Sequence, residues 1–143
     1  MRNIVIDDDI IVPYSVLKMI ELRLVKSQKR EDQKDMDTSY FASYKRDRGI
    51  SIALKTPHWF KGPSYPDLFP TPAGLYTYRT DHDEQAYIKT YYKDVLDKLD
   101  PRKVYTDLQY KVLLCYEKRG VFCHRHIVAD WLYDKLGVLV LEL

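Results

Sequence analysis

The chain has 143 residues, 45% of them hydrophobic and 31% charged, which suffices for one packed domain that needs neither disulfide nor metal to fold. Its 23 basic and 21 acidic residues leave a net charge of +2, which neither announces a nucleic-acid partner nor excludes a local basic patch. No apolar run reaches the roughly 18 residues that cross a bilayer, and the start, with Asp7, Asp8 and Asp9, is no secretory signal, so a cytoplasmic protein off the membrane is expected.

Asn3 to Ile6 reads as a short strand. Pro13 suits a first helical position, and Val16, Leu17, Ile20 and Leu24 follow at helical spacing. The stretch from Lys26 to Asp37 is dense in both charges and reads as a solvated helix end and linker, which places a boundary after residue 37. Ser39 to Tyr44 and Ile50 to Leu54 read as strands, with Gly49 as a turn between them. Thr56 to Pro72 holds five prolines and cannot be regular throughout. Its run His58, Trp59, Phe60, Lys61 suits either a ligand lid or a hydrophobic plug.

From Asp83 the pattern is helical, with Ile88, Tyr91, Tyr92, Val95, Leu96 and Leu99 on one face and Asp81 or Asp83 as the cap. Asp100 and Pro101 restart a helix that runs to about Leu108. Val112 to Cys115 is a continuous apolar run, as in a strand covered on both faces. A helix over His124 to Leu136 buries Ile127, Val128, Trp131 and Leu132 and is closed by Gly137, and Val138 to Leu141 is a last strand. Strands alternating with helices predict an α/β fold, a single small domain with a largely parallel sheet flanked by helices over 38–143, plus an added strand–helix unit over 1–37.

In open α/β sheets ligands bind beyond the carboxyl ends of the strands, where Glu117 stands and where Cys123, His124 and Arg125 open the next helix. A helix N-terminus favours anions, Arg125 adds a fork for phosphate or carboxylate, and the same position would activate the Cys123 thiol. Glu117 is the nearest general acid or base. The plainer reading makes Arg125 and His126 solvent-facing, pairs Glu117 with Lys118 or Arg119, and packs Cys123 beneath the loop.

Two cysteines, Cys115 and Cys123, are too few for a disulfide framework and are expected to be thiols in a reducing compartment. With His124 and His126 they include zinc-type ligands, but there is no C-x-x-C pair, Cys115 lies in an apolar strand and the histidines fall on different helix faces. No structural zinc and no cofactor is expected. Tyr40, Phe41, Tyr44, Lys45, Arg46 and Arg48 interleave rings with positive charge, as a nucleic-acid surface would.

The run Cys115, Tyr116, Glu117, Lys118, then Phe122, Cys123, His124, Arg125, His126, on to Val128, Ala129, Asp130, Trp131, Leu132, resembles the signature of domain-of-unknown-function family 488, the YeaO-like group. Thr38 to Ala42, the block Ile50 to Gly62 and the block Leu96 to Asp100 resemble further family segments, in order. The resemblance covers about 38–143 and implies a small bacterial-type or phage-borne cytoplasmic domain whose blocks meet in one site. It supplies no reaction. Residues 1–37 fall outside it, and the turn between Tyr44 and Ile50 is shorter than usual for the family.

Two functions follow as expectations. One is a nucleotide or phosphorylated-ligand site, hydrolytic or purely binding, with Glu117 and Cys123 as catalytic candidates and Ser39, Tyr40, Lys61, His124 and Arg125 as ligand contacts. Ser39, Lys61 and Arg125 would then share one concavity. The other is an accessory module that binds nucleic acid or a protein without catalysis.

Overall fold

The computed structural model describes residues 35–143 in full and, of the preceding part, the backbone of residues 3–7 and 10–13. The chain divides into two units, Met1–Gln33 and Lys34–Leu143. In the first, strand β1 (Asn3–Asp7) pairs antiparallel with β2 (Ile10–Pro13), with an irregularity between Val5 and Asp7. Pro13 thus ends a strand instead of opening a helix, at the position in a strand that costs no ladder bond in the middle of a sheet. The helix expected over Val16 to Leu24 lies outside the described residues.

The second unit holds a four-stranded, all-parallel sheet, so the expected α/β class with a parallel sheet is what the chain forms. Its strands are β3 (Asp37–Tyr40), β4 (Gly49–Ser51), β5 (Val112–Cys115) and β6 (Leu141–Glu142), in the order β4-β5-β3-β6. Met36 is wholly buried in the core, and Asp37 is in register with Val112 and Leu141.

β3 and β4 are sequence neighbours but not sheet neighbours, because β5 lies between them. Gly49 is accordingly the first residue of β4 and not a turn. A Cβ there would lie 2.7 Å from Leu114 Cδ1, so the missing side chain is what lets β4 close on β5.

The α-helices among the described residues are α1 (Pro72–Asp81), α2 (Glu84–Asp94), α3 (Pro101–Leu108) and α4 (His124–Leu136). None is long and apolar enough to cross a membrane. Thr71 caps α1 by accepting from the Gly74 amide, Asp83 caps α2 from Ala86, and Asp100 caps α3 from Arg102. α4 stops at Gly137, whose φ of 69° is the left-handed closure glycine allows. Replacing Asp100 by alanine should cost about 1 kcal/mol, read as a lower urea midpoint with an unchanged slope.

Strand β5 contributes to two cores. Leu113 joins the larger one, in which Trp131, Val128 and Leu132 of α4 meet Tyr91, Leu96 and Leu108. Val112 and Leu114 face a smaller one with Phe41, Ala53, Cys115 and Cys123, onto which Phe60 packs. The Phe60 ring sits 5.3 Å from that of Phe41, so this part of the proline-rich tract is a plug. The tract also extends the sheet, since Ser51 bridges Ser64 beside β4.

Candidate functional site

Beyond the carboxyl ends of β4 and β5 lies an open cleft of about 90 Å³. The segment after β4 contributes Ala53, Leu54 and Lys55, the end of β5 contributes Cys115, Tyr116 and Glu117, and α4 contributes His124. Pro70, with Leu75 and Arg79 of α1, closes the far side. Parallel strands that end together leave their outgoing loops around one hollow, which is why a cleft forms here.

Of the residues expected to act, Glu117 and His124 line this cleft. Ser39 is buried within β3, in register with Leu114. Tyr40 ends β3 beside Cys115 and is half-buried. Lys61 is exposed, its Nζ donating to the His58 carbonyl at 3.2 Å. Ser39, Lys61 and Arg125 are not among the residues that line this hollow, so the three expected to share a concavity do not do so here.

Arg125 differs most from its expected place. It is neither a solvent-facing residue nor an open anion fork, but a fully buried side chain. Its Nη2 meets Glu142 Oε1 at 2.8 Å and its Nε meets the same carboxylate at 3.2 and 3.3 Å. Nη1 donates to Cys115 Sγ at 3.0 Å, and Nη2 also reaches the Lys118 carbonyl at 3.5 Å. His126 Nε2 lies 3.3 Å from Glu142 Oε2, and Thr38 Oγ1 donates to that oxygen as well. Burial raises the Glu142 pKa, but the hydrogen bonds from His126, Arg125 and Thr38 outweigh it and bring it down to about 2.

The cysteines also differ from expectation: a disulfide joins Cys115 to Cys123. The loop folds back so that Cys123, at the N-cap of α4, reaches the end of β5 eight positions earlier. His124 is buried, and burial pushes its imidazole down to about 4, so the ring is neutral near pH 7. Its Nε2 lies 2.7 Å from the Ile52 carbonyl, which can only accept, so the single ring proton belongs on Nε2. Nδ1 therefore turns a bare lone pair toward Cys123 Sγ, 3.8 Å away. Glu117 is exposed, with Oε2 at 3.6 Å from Cys115 Sγ.

Reading the sequence did not single out Lys55, Arg79 or Tyr116. Both cations are exposed on the cleft, and the Tyr116 ring is half-exposed there. The sequence signals for Tyr116 are its place one residue past an apolar strand and its membership of the family-like run Cys115 to Lys118. For Lys55 and Arg79 there is none, because loop and helix placement decides where they point.

A small parallel sheet whose β5–loop–α4 unit carries Cys115, Glu117, Cys123, His124 and Arg125 defines an α/β domain of the DUF488 kind. The family model described as the active DUF488-N3 subclade (DUF488-N3a) matches residues 22–136, and the chain belongs to the DUF488 family. The match starts ahead of Thr38, so it takes in part of the segment read as an addition. No curated protein and no solved structure matches the chain.

Proposed function

We propose that the chain binds a small phosphorylated ligand, a nucleotide in the first instance, in the cleft beyond β4 and β5. The observation that carries the reading is the makeup of the cleft: Lys55 and Arg79 supply cations for phosphate, and Tyr116 offers a ring for stacking. Glu117 stands in the same hollow as the general acid or base that a hydrolytic reaction would need. The name of the matched subclade, which calls it active, favours catalysis over binding alone.

The rival reading, a nucleic-acid surface, meets an obstacle at Trp59, the exposed ring that Lys45 of that surface lies against. Trp59 is 45% exposed, but Lys45 Nζ lies over it at 3.9 Å from the centroid. A stacking base needs that face.

Arg79→Ala and Lys55→Ala should each weaken nucleotide binding by about tenfold, roughly 1.4 kcal/mol, while as surface changes they shift stability by less than about 0.5 kcal/mol. Calorimetric titration with nucleoside mono-, di- and triphosphates measures the first and urea unfolding the second. Undiminished binding by both variants, or binding of single-stranded oligonucleotides but of no nucleotide, would remove the cleft from the reading.

A further inference from the structure

We propose that reduction of the Cys115–Cys123 disulfide opens a transition-metal site whose protein ligands are Cys115 Sγ, Cys123 Sγ and His124 Nδ1, with zinc as the ion that suits it. The site stands on its own ligands and does not depend on the phosphorylated-ligand reading.

Convergence is the first argument. One ligand atom from each of the three residues falls within 4.8 Å of the others, and all three residues are buried. Cysteine spacing in the sequence hid this, because the chain turns through the loop after β5 before α4 begins. His126, which sequence spacing also offered as a ligand, is turned away to Glu142.

The histidine is the second argument. Its Nε2 proton is committed to the Ile52 carbonyl, and its Nδ1 lone pair points at a cysteine sulfur. A metal-binding imidazole is held in this way, with the second ring nitrogen donating to a carbonyl that fixes tautomer and orientation. A histidine buried only for packing has no need of a bare lone pair beside two sulfurs.

Backbone spacing is the third. The Cα atoms of Cys115 and Cys123 are 7.6 Å apart, wider than the roughly 4.4–6.8 Å usual for a disulfide. Two thiolates on one tetrahedral zinc stand about 3.8 Å apart, which spreads the two backbones. Arg125 Nη1, 3.0 Å from Cys115 Sγ, already provides the donor that an anionic sulfur wants.

The charges and electrons balance. A dithiol or phosphine reductant delivers two electrons to the disulfide, which takes up two protons to become two thiols. A divalent ion then displaces both thiol protons and binds neutral His124 without displacing one, leaving an uncharged core that tolerates burial. Cys115 and His124 also border the cleft, beside Glu117, so the fourth coordination position opens toward it. Three protein ligands with an open place are the pattern of a catalytic zinc, which would activate a water there.

The test uses the full chain, reduced with a phosphine under argon and titrated with cobalt(II). We expect one ion per chain, a thiolate-to-cobalt charge-transfer band, visible bands of a tetrahedral centre, and loss of the spectrum when zinc is added. The oxidised chain should show none of these. Cys115→Ser, Cys123→Ser and His124→Ala should each weaken binding by at least about 100-fold, whereas His126→Ala should leave it unchanged. Far-ultraviolet circular dichroism checks that each variant folds. Where one does not, the unmodified chain decides, since bound zinc should protect both cysteines from alkylation. Equal alkylation with and without zinc, or an undiminished charge-transfer band in the folded cysteine variants, would overturn the site.

Discussion

Arg125→Ala should lower the stability of the domain by about 3–5 kcal/mol. The guanidinium is wholly buried, and truncation removes the arginine partner of Glu142, whose side chain is only 19% exposed. The cost is that of a mostly buried carboxylate left with only Thr38 and His126 as partners, added to the loss of donors to Cys115 Sγ and the Lys118 carbonyl. Arg125→Lys should recover little, because an ammonium cannot reproduce the fork that reaches the Glu142 carboxylate, the sulfur and the carbonyl together. The double change Arg125→Met, Glu142→Leu should cost far less than Arg125→Ala alone, since no charge is then left without its partner. Urea unfolding of the four chains separates these outcomes. A loss below about 0.5 kcal/mol for Arg125→Ala would show that the guanidinium is spare, as a residue reserved for a ligand would be.

That prediction reverses what the sequence suggests for the same residue, and the reason lies in distance along the chain. An arginine in the first turn of a helix looks like an anion fork because its local surroundings favour anions. Its actual anion is Glu142, 17 positions on, brought alongside because β6 pairs with β3. Nothing within either segment signals that meeting.

Elements with a strong local pattern were legible. Val112–Cys115 is apolar throughout because both faces of the strand are covered, and α4 shows its Ile127, Val128, Trp131, Leu132 stripe and its closing glycine. Asp83 and Asp100 were legible as caps for the same reason, since a cap acts within three residues. α1 was not: Thr71 and Pro72 are sound start signals, but they end a proline-rich tract, and the helix buries only Gly74. The pattern puts β3 a few residues late because Asp37, Thr38 and Ser39 are polar yet buried. Asp37 is held by Arg48 at 3.1 Å, and Thr38 donates to the Leu141 carbonyl and to Glu142. Polar residues can fill a central strand when the fold satisfies them, and no pattern of hydrophobicity reports that.

For the site, the place was legible and the cast only in part. A strand–loop–helix at the carboxyl edge of a sheet directs attention to Glu117 and His124, and both line the cleft. Cys115 sits in an apolar run that reads as strand, yet it is the last residue of β5, where a side chain can reach both the core and the loop. Ser39 belongs to a family-like block, whereas its position inside β3 buries it.

Acid should unfold this domain partly through Glu142, and the sign follows from its depressed pKa. Burial alone would raise that value, but the donors facing it, His126 and Arg125 from α4 and Thr38 from β3, hold it at about 2 against an ordinary 4.5. The folded state therefore keeps Glu142 ionised where the unfolded chain has already taken up a proton. Its contribution is fully present above pH 4.5 and is lost as the pH falls from there through about 2. Each unit of difference is worth about 1.4 kcal/mol, so the whole loss amounts to about 3 kcal/mol. Other carboxylates titrate in the same window; Asp107, for instance, is lowered by its hydrogen bonds from Lys103 and Tyr65. The decisive quantity is thus the difference between the wild-type chain and Glu142→Gln, each unfolded in urea at several pH values between about 6 and 2. Glu142→Gln should be the less stable chain at pH 6 and should lose less stability than wild type on acidification, so that the two curves converge as the pH nears 2. Parallel curves across that window would mean that the carboxylate is not held by Arg125, and the clamp between α4 and β6 would have to be given up.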